Sequence, residues 1–257
     1  MILSIARPDS ALVDEIRPSP NVEERRNSLR PTILLLHYTG LPSMARAIDW
    51  LCLAGSGVSC HYGIDVDGCI TQMVSEDLRA WHAGASIWAG ESDINSASIG
   101  IEIHNSGHGS DYPDFPEVQM QAVERLSRDI LARHGIRRER VLAHSDVAPG
   151  RKKDPGEKFP WERLAHAGIG HWVQPAPAVE EDPGLGLGEA APGVAAFQEA
   201  LRRYGYGIEP TGLIDERTEQ VVSAFQRHFR PERVDGRIDR STIATLEHLI
   251  AALPQEA

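Results

Sequence analysis

Thr32-Ile33-Leu34-Leu35-Leu36-His37-Tyr38 is a mostly apolar run, β-branched at its start, with a histidine near its end. A run this short suits a buried strand better than a helix. Further on, Ser98-Ile99-Gly100-Ile101-Glu102-Ile103-His104 alternates, and successive strand side chains point to opposite faces. Gly100, Glu102 and His104 therefore share one face and the three isoleucines the other. Between these runs, Cys60 to Val66, then Asp67-Gly68, then Cys69 to Val74 reads as a β-hairpin, because Asp-Gly favours the tight turn that twisted strands require. Ser43 to Leu53 has helical periodicity, with Ala47, Ile48, Leu51 and Cys52 on one side. Pro116 to His134 is a longer helix. Val118, Ala122, Leu126, Ile130 and Leu131 are expected to face the core, with Gly135 as its C-cap. Val141 to His144 is a short strand, and Pro160-Trp161 opens a last short helix.

Outward from this centre the 257 residues divide into unlike parts. Residues 1–30 are polar, carry several prolines, and read as an irregular arm lying on a first domain over 31–172. Residues 173–193 are rich in Pro, Ala, Gly and Glu and read as a linker. Over 194–252 three apolar stripes recur at helical spacing: Val194, Phe197, Leu201 and Tyr204; Val221, Val222, Phe225 and Phe229; Ile243, Leu246, Leu249 and Ile250. A weak echo joins the last two, since Gly212 and Gly236 lie in turns leading to Asp215 and Asp239, both good N-cap residues. Three helices in a small second domain are expected.

The net charge of −11 argues against non-specific binding to nucleic acid or to an anionic membrane. No stretch approaches the ~20 apolar residues of a transmembrane segment. Met1 to Pro8 lacks the charged start and apolar core of a secretory signal, so a cytoplasmic location is expected, with a periplasmic or wall-associated one as the alternative. Cys52, Cys60 and Cys69 are odd in number and lack C-x-x-C spacing, so buried free thiols are expected rather than a disulfide framework.

The chemistry lies in His144-Ser145-Asp146-Val147-Ala148-Pro149-Gly150-Arg151-Lys152-Lys153-Asp154-Pro155-Gly156. With His37, this loop supplies two histidines and an aspartate, three protein ligands that leave a fourth zinc position for water. Taken singly, His37 is an ordinary strand-end polar residue and Asp154 a turn cap before Pro155-Gly156. Zinc hydrolysis also needs a base and a stabiliser for the oxyanion. Glu102, out of place among isoleucines, is the candidate base, although a half-solvated strand face also accommodates it. Lys152 is the candidate oxyanion donor. Trp81, His82, Trp88, Asn105, His61 and Arg151 are candidate groove-wall residues, each alone more often core or surface; Arg151 and Lys153 also read as solvated charges.

At these residues the chain resembles the type 2 N-acetylmuramoyl-L-alanine amidases, the AmpD/AmiD group related to phage lysozyme-type amidases and animal peptidoglycan-recognition proteins. The resemblance covers about residues 32–165 and rests on LLLHYTG, SCHYGIDVDG, AWHAG, SIGIEIHN and AHSDVAPGRKKDPGEKFPW, in that order. It implies an α/β (α+β) fold: a central mixed β-sheet flanked by helices, with zinc in a surface groove. It implies zinc ligands at His37, His144 and Asp154, an acid/base at Glu102, and transition-state assistance from Lys152. Some relatives carry cysteine at the position of Asp154 and a hairpin tyrosine in place of the strand glutamate; this chain follows the Asp/Glu version. The implied reaction cleaves the amide between N-acetylmuramic acid and the L-alanine of the stem peptide. Anhydro-muropeptides or peptidoglycan are the implied substrates. AAFQEALRRYGYGIEPTGLIDERTEQVVSAFQRHF followed by DGRIDRSTIATL resembles, more loosely, a three-helix peptidoglycan-binding module. Two other readings stay open: a non-catalytic peptidoglycan receptor, which needs neither Glu102 nor Lys152, and a zinc peptidase of different bond specificity.

Overall fold

The computed structural model describes Ile5 and residues 7–28 and 30–254. Most of the Met1–Pro8 reading, from Met1 to Ser4 and Ala6, lies outside the described residues. The strands are β1 (Glu15–Ile16), β2 (Val22–Glu24), β3 (Ile33–Tyr38), β4 (Tyr62–Ile64), β5 (Ile70–Gln72), β6 (Leu78–Ala80), β7 (Ser98–Ile103) and β8 (Val141–Ala143). The helices are α1 (Met44–Leu51), α2 (Ile94–Ala97), α3 (Glu117–His134), α4 (His144–Val147), α5 (Trp161–His166), α6 (Val194–Tyr204), α7 (Glu216–Phe229) and α8 (Arg240–Ala251).

Six strands form a mixed sheet in the order β1-β5-β4-β7-β3-β8, as expected for the fold class. The most apolar run, β3, sits between β7 and β8 and pairs with both in parallel. The hairpin forms as read: β4 and β5 are antiparallel with Ile64 opposite Ile70. The arm is not irregular throughout. β1 adds to the sheet edge beside β5, and β2 pairs with β6 in a separate ribbon. Arg25 fastens it further, donating to the carbonyls of Ser96, Ser98 and Glu76. Polar composition concealed these strands because their pairing is edge backbone, which needs no apolar run.

Strand alternation places the site. Leu34, Leu36, Ile99, Ile101 and Ile103 pack against α3 and Trp161 in one core. Ile33 and Leu35 point to the opposite face, and so do His37, Gly100 and Glu102. That face also packs Ala83, Trp88, Val147 and the three C-terminal helices in one continuous core. α3 ends at Gly135 in the left-handed conformation (φ 66°), where its N–H bonds to Leu131 O. Ser43, Asp215 and Asp239 cap α1, α7 and α8 with side-chain oxygens. Two expected core positions are on the surface: Val118 is 48% exposed on α3, and Ile243 is 36% exposed on α8. The buried stripe of α3 runs through Gln119, Ala122, Val123 and Leu126, and that of α8 through Thr242, Thr245, Leu246 and Leu249. Val118 and Ile243 fall one position to the side of these stripes, where the helix turns outward. Residues 173–193 are irregular but tied down, since Leu185 bridges to Ile238 and Ala190 to Leu213. All three cysteines are free; Cys60 is buried, whereas Cys52 and Cys69 are partly exposed.

Candidate metal centre and active-site groove

Three side chains from two segments converge at the C-terminal ends of β3 and β8. His37 Nδ1 lies 2.9 Å from His144 Nδ1 and 3.2 Å from Asp154 Oδ2, and His144 Nδ1 lies 3.0 Å from the same oxygen. All three residues are buried. β3 delivers His37 at its end, and α4, a single turn following β8 directly, delivers His144. The return loop brings Asp154 back, anchored where Ser145 N–H donates to Asp154 O at 3.0 Å.

The surrounding hydrogen bonds assign the protons. Ser98 hydroxyl donates to Ile94 O at 2.5 Å, so it accepts from His82 Nε2–H at 3.3 Å. His82 Nδ1 is then an acceptor and takes His37 Nε2–H at 3.0 Å. His144 Nε2–H donates to Ala83 O at 3.1 Å. Both Nδ1 atoms are left as lone pairs aimed, with a carboxylate oxygen, at one point. Three acceptors this close with no proton among them call for a cation, and two imidazoles plus a carboxylate suit a divalent metal with an open position. Burial, and then His144, hold the His37 pKa down to about 4, which favours the neutral imidazole a metal would need.

His37 pairs in register with Glu102 on β7, so the two project side by side. Glu102 Oε2 is buried with no hydrogen-bond partner. Burial, and then the charge of Asp154, raise its pKa well above the usual range, against the pull of Lys152. Glu102, Lys152, His144 and Asp154 line a groove of about 450 Å³ whose other walls include Trp81 and Trp50. The groove thus gathers three side chains that could hold a metal ion, the Glu102 carboxyl and the Lys152 ammonium around one cleft, groups of the kind amide hydrolysis uses.

Known proteins match this chain along most of its length. A family model described as N-acetylmuramoyl-L-alanine amidase matches residues 27–157, and one described as putative peptidoglycan binding domain matches 190–246. N-acetylmuramoyl-L-alanine amidase AmiD of Escherichia coli is 36% identical over 246 residues, covering 88% of this chain and 85% of that one. The chain belongs to the N-acetylmuramoyl-L-alanine amidase family. The 1,6-anhydro-N-acetylmuramyl-L-alanine amidase AmpD of Salmonella typhimurium is 32% identical to this amidase over 176 residues, covering 61% of it and 92% of the relative. Among solved structures, E. coli AmiD in complex with anhydro-N-acetylmuramic acid-L-Ala-D-gamma-Glu-L-Lys superposes with a TM-score of 0.76 at 34% identity, covering 91% of this chain and 94% of that one. AmpDh3 from Pseudomonas aeruginosa gives 0.73 at 32%, covering 91% and 96%.

In this amidase the other candidate wall residues divide. Trp81 lines the groove. His82 reaches its edge but is mostly buried, and its ring orients His37. Arg151 lines the groove too, while its guanidinium donates to Ala83 O and Ala85 O, fixing the turn that holds His144. Three lie away from it. His61 is fully buried, accepting from Gly100 N–H at 3.0 Å and donating to Leu78 O at 3.1 Å; burial, then Arg25, lower its pKa to about 3. Trp88 is 1% exposed, packed against Tyr204 and Tyr206. Asn105 shapes its own loop, donating to Pro113 O and accepting from Gly107 N–H. Ser98, Asn95 and Trp50 also serve the site, and no motif singles them out. Asn95 Oδ1 accepts from the N–H groups of His82 and Ala83, which holds the turn behind the triad. Ser98 lies within reach of the alternation that places Glu102. Trp50, 51% exposed, is the large residue that the α1 core stripe leaves outside.

Proposed function

We propose that this amidase binds zinc through His37, His144 and Asp154 and hydrolyses the amide between N-acetylmuramic acid and the L-alanine of stem peptides. Anhydro-muropeptides, released in wall turnover and recycled, are the favoured substrate class. The observation that carries this reading is the convergence of His37 Nδ1, His144 Nδ1 and Asp154 Oδ2 beside Glu102, whose buried Oε2 has no hydrogen-bond partner. The AmiD structure with an anhydro-muropeptide and the AmpD relative support the substrate class.

When bound, zinc supplies Lewis acidity that acidifies water and polarises the amide carbonyl. Glu102 takes the proton of the attacking water as the new C–O bond forms. Lys152 donates to the oxyanion that develops at the lactyl carbonyl. Glu102 then delivers its proton to the alanine nitrogen as the C–N bond breaks. Trp81 and Trp50 offer apolar faces for the sugar ring. The division into an arm (1–30), a catalytic domain (31–172), a linker (173–193) and a peptidoglycan-binding-like three-helix domain (194–252) belongs to the same proposal.

The test incubates purified protein with a soluble anhydro-muropeptide and, separately, with intact sacculi, with and without a chelator. Chelator-sensitive release of stem peptide from the soluble fragment is expected, restored by zinc. Release from sacculi alone would move the role to the polymer, and no cleavage of either by zinc-loaded protein would favour a receptor.

A further inference from the structure

The three-helix unit reaches the metal-binding turn through a buried carboxylate. Asp146 lies in α4, two residues beyond His144, and is fully buried. Its Oδ2 accepts from Ala143 N–H at 2.8 Å and from His228 Nδ1–H at 2.7 Å; its Oδ1 accepts from the Tyr206 hydroxyl at 2.7 Å. Two of these three donors belong to the C-terminal helices, since His228 is on α7 and Tyr206 follows α6. The His228 ring stacks on Trp161, with centroids 3.7 Å apart. Nearby, Arg217 on α7 donates to Pro149 O at 3.3 Å, and the side chain of Gln220 fills the space a Cβ on Gly150 would need.

A single helical turn has almost no stability of its own, because nucleation costs more than one backbone bond returns. The geometry of α4 is therefore set by what Asp146 bonds to, and a buried carboxylate holds its place only while its donors do. A shift of the turn also moves Asp154, through the Ser145–Asp154 backbone bond.

We propose that His228 and Tyr206 are positioning residues for the metal centre: acting through Asp146, they hold the turn that carries His144 and the loop that carries Lys152 and Asp154. The three-helix unit thereby completes the catalytic scaffold, whatever glycan it also binds. This rests on the reading of His144 and Asp154 as metal ligands.

The experiment uses the full chain. Zinc content, zinc release to a chromophoric chelator, kcat and KM are measured for wild type, His228→Leu, His228→Asn, Tyr206→Phe and the exposed-surface control Arg202→Ala. His228→Leu is expected to speed zinc release and lower kcat about tenfold each, with KM changed less than about twofold. His228→Asn, whose amide nitrogen stands where Nδ1 stood, is expected to recover most of both losses. Tyr206→Phe is expected to move in the same direction as His228→Leu by a smaller factor, and Arg202→Ala to match wild type. If His228→Leu does not fold, Tyr206→Phe and His228→Asn decide. Wild-type zinc release and kcat in the folded variants, even with a lowered melting temperature, would overturn the proposal. Wild-type protein that takes up no zinc would instead overturn the metal assignment.

Discussion

Glu102 is the residue on which the proposed chemistry turns. It was legible because a carboxylate among isoleucines breaks the pattern of its own strand. Replacing it with glutamine keeps the shape and removes the base. kcat is expected to fall by about 10² to 10⁴-fold, with zinc content unchanged by metal analysis. Burial is the larger cause of its raised pKa. The base form therefore appears only above the ordinary carboxylate range, and kcat/KM is expected to fall as the pH drops through that raised value. An acid limb at an ordinary carboxylate pKa, or one surviving in the residual activity of Glu102→Gln, would remove Glu102 from the role. The proton chain behind His37 was not legible. Ile94, Ser98, His82 and His37 come from three segments, and no local pattern tells which ring nitrogen faces which.

At the scale of elements, β3 and β7 do most of the placing. Their parallel register sets His37 beside Glu102 and Leu35 beside Gly100. Gly100 leaves room for the imidazole behind His37: a Cβ there would stand 2.6 Å from His82 Nδ1. Gly100→Ala is expected to displace His82 and weaken zinc binding about 10- to 100-fold in chelator competition, and unchanged affinity would show that the His82 contact is idle. Strands and helices with strong periodicity were readable in the sequence to within a residue or two. The edge strands β1 and β2 were not, because two or three residues of backbone pairing leave no side-chain period. The helix caps were readable: Asp215 and Asp239 each accept an N–H three residues on. Alanine at Asp215 is expected to cost about 1 kcal/mol in denaturant unfolding.

At the scale of the whole molecule, the C-terminal helices are fused to the amidase rather than tethered to it. Ile33, Leu35 and Leu142 of the sheet share one core with Val194, Phe225 and Leu246. The sequence showed two sets of apolar stripes but not that they face each other, since each set has a core of its own to fill. Calorimetry is expected to show one cooperative transition, and two separated peaks would mean that the shared core contributes little. Acid should weaken the molecule at a defined point. Glu76 is buried and accepts from Tyr62 at 2.7 Å, His134 at 2.7 Å and Arg133. Burial works to raise its pKa, but these donors hold it down to about 2, below the ordinary 4.5. A folded pKa below the unfolded one stabilises above the unfolded value and is lost as the pH falls toward 2. Up to about 3 kcal/mol is at stake. Wild type is expected to lose this increment between those pH values and Glu76→Gln to lack it.

The most direct test of the central claim is hydrolysis of a soluble anhydro-muropeptide by the zinc-loaded protein in heavy-oxygen water, with each product weighed. The expected result is an intact, unlabelled stem peptide with a free L-alanine amine, and heavy oxygen in the lactyl carboxylate of the sugar. Heavy oxygen in a peptide fragment, or no cleavage at all, would contradict water attack at the muramoyl amide.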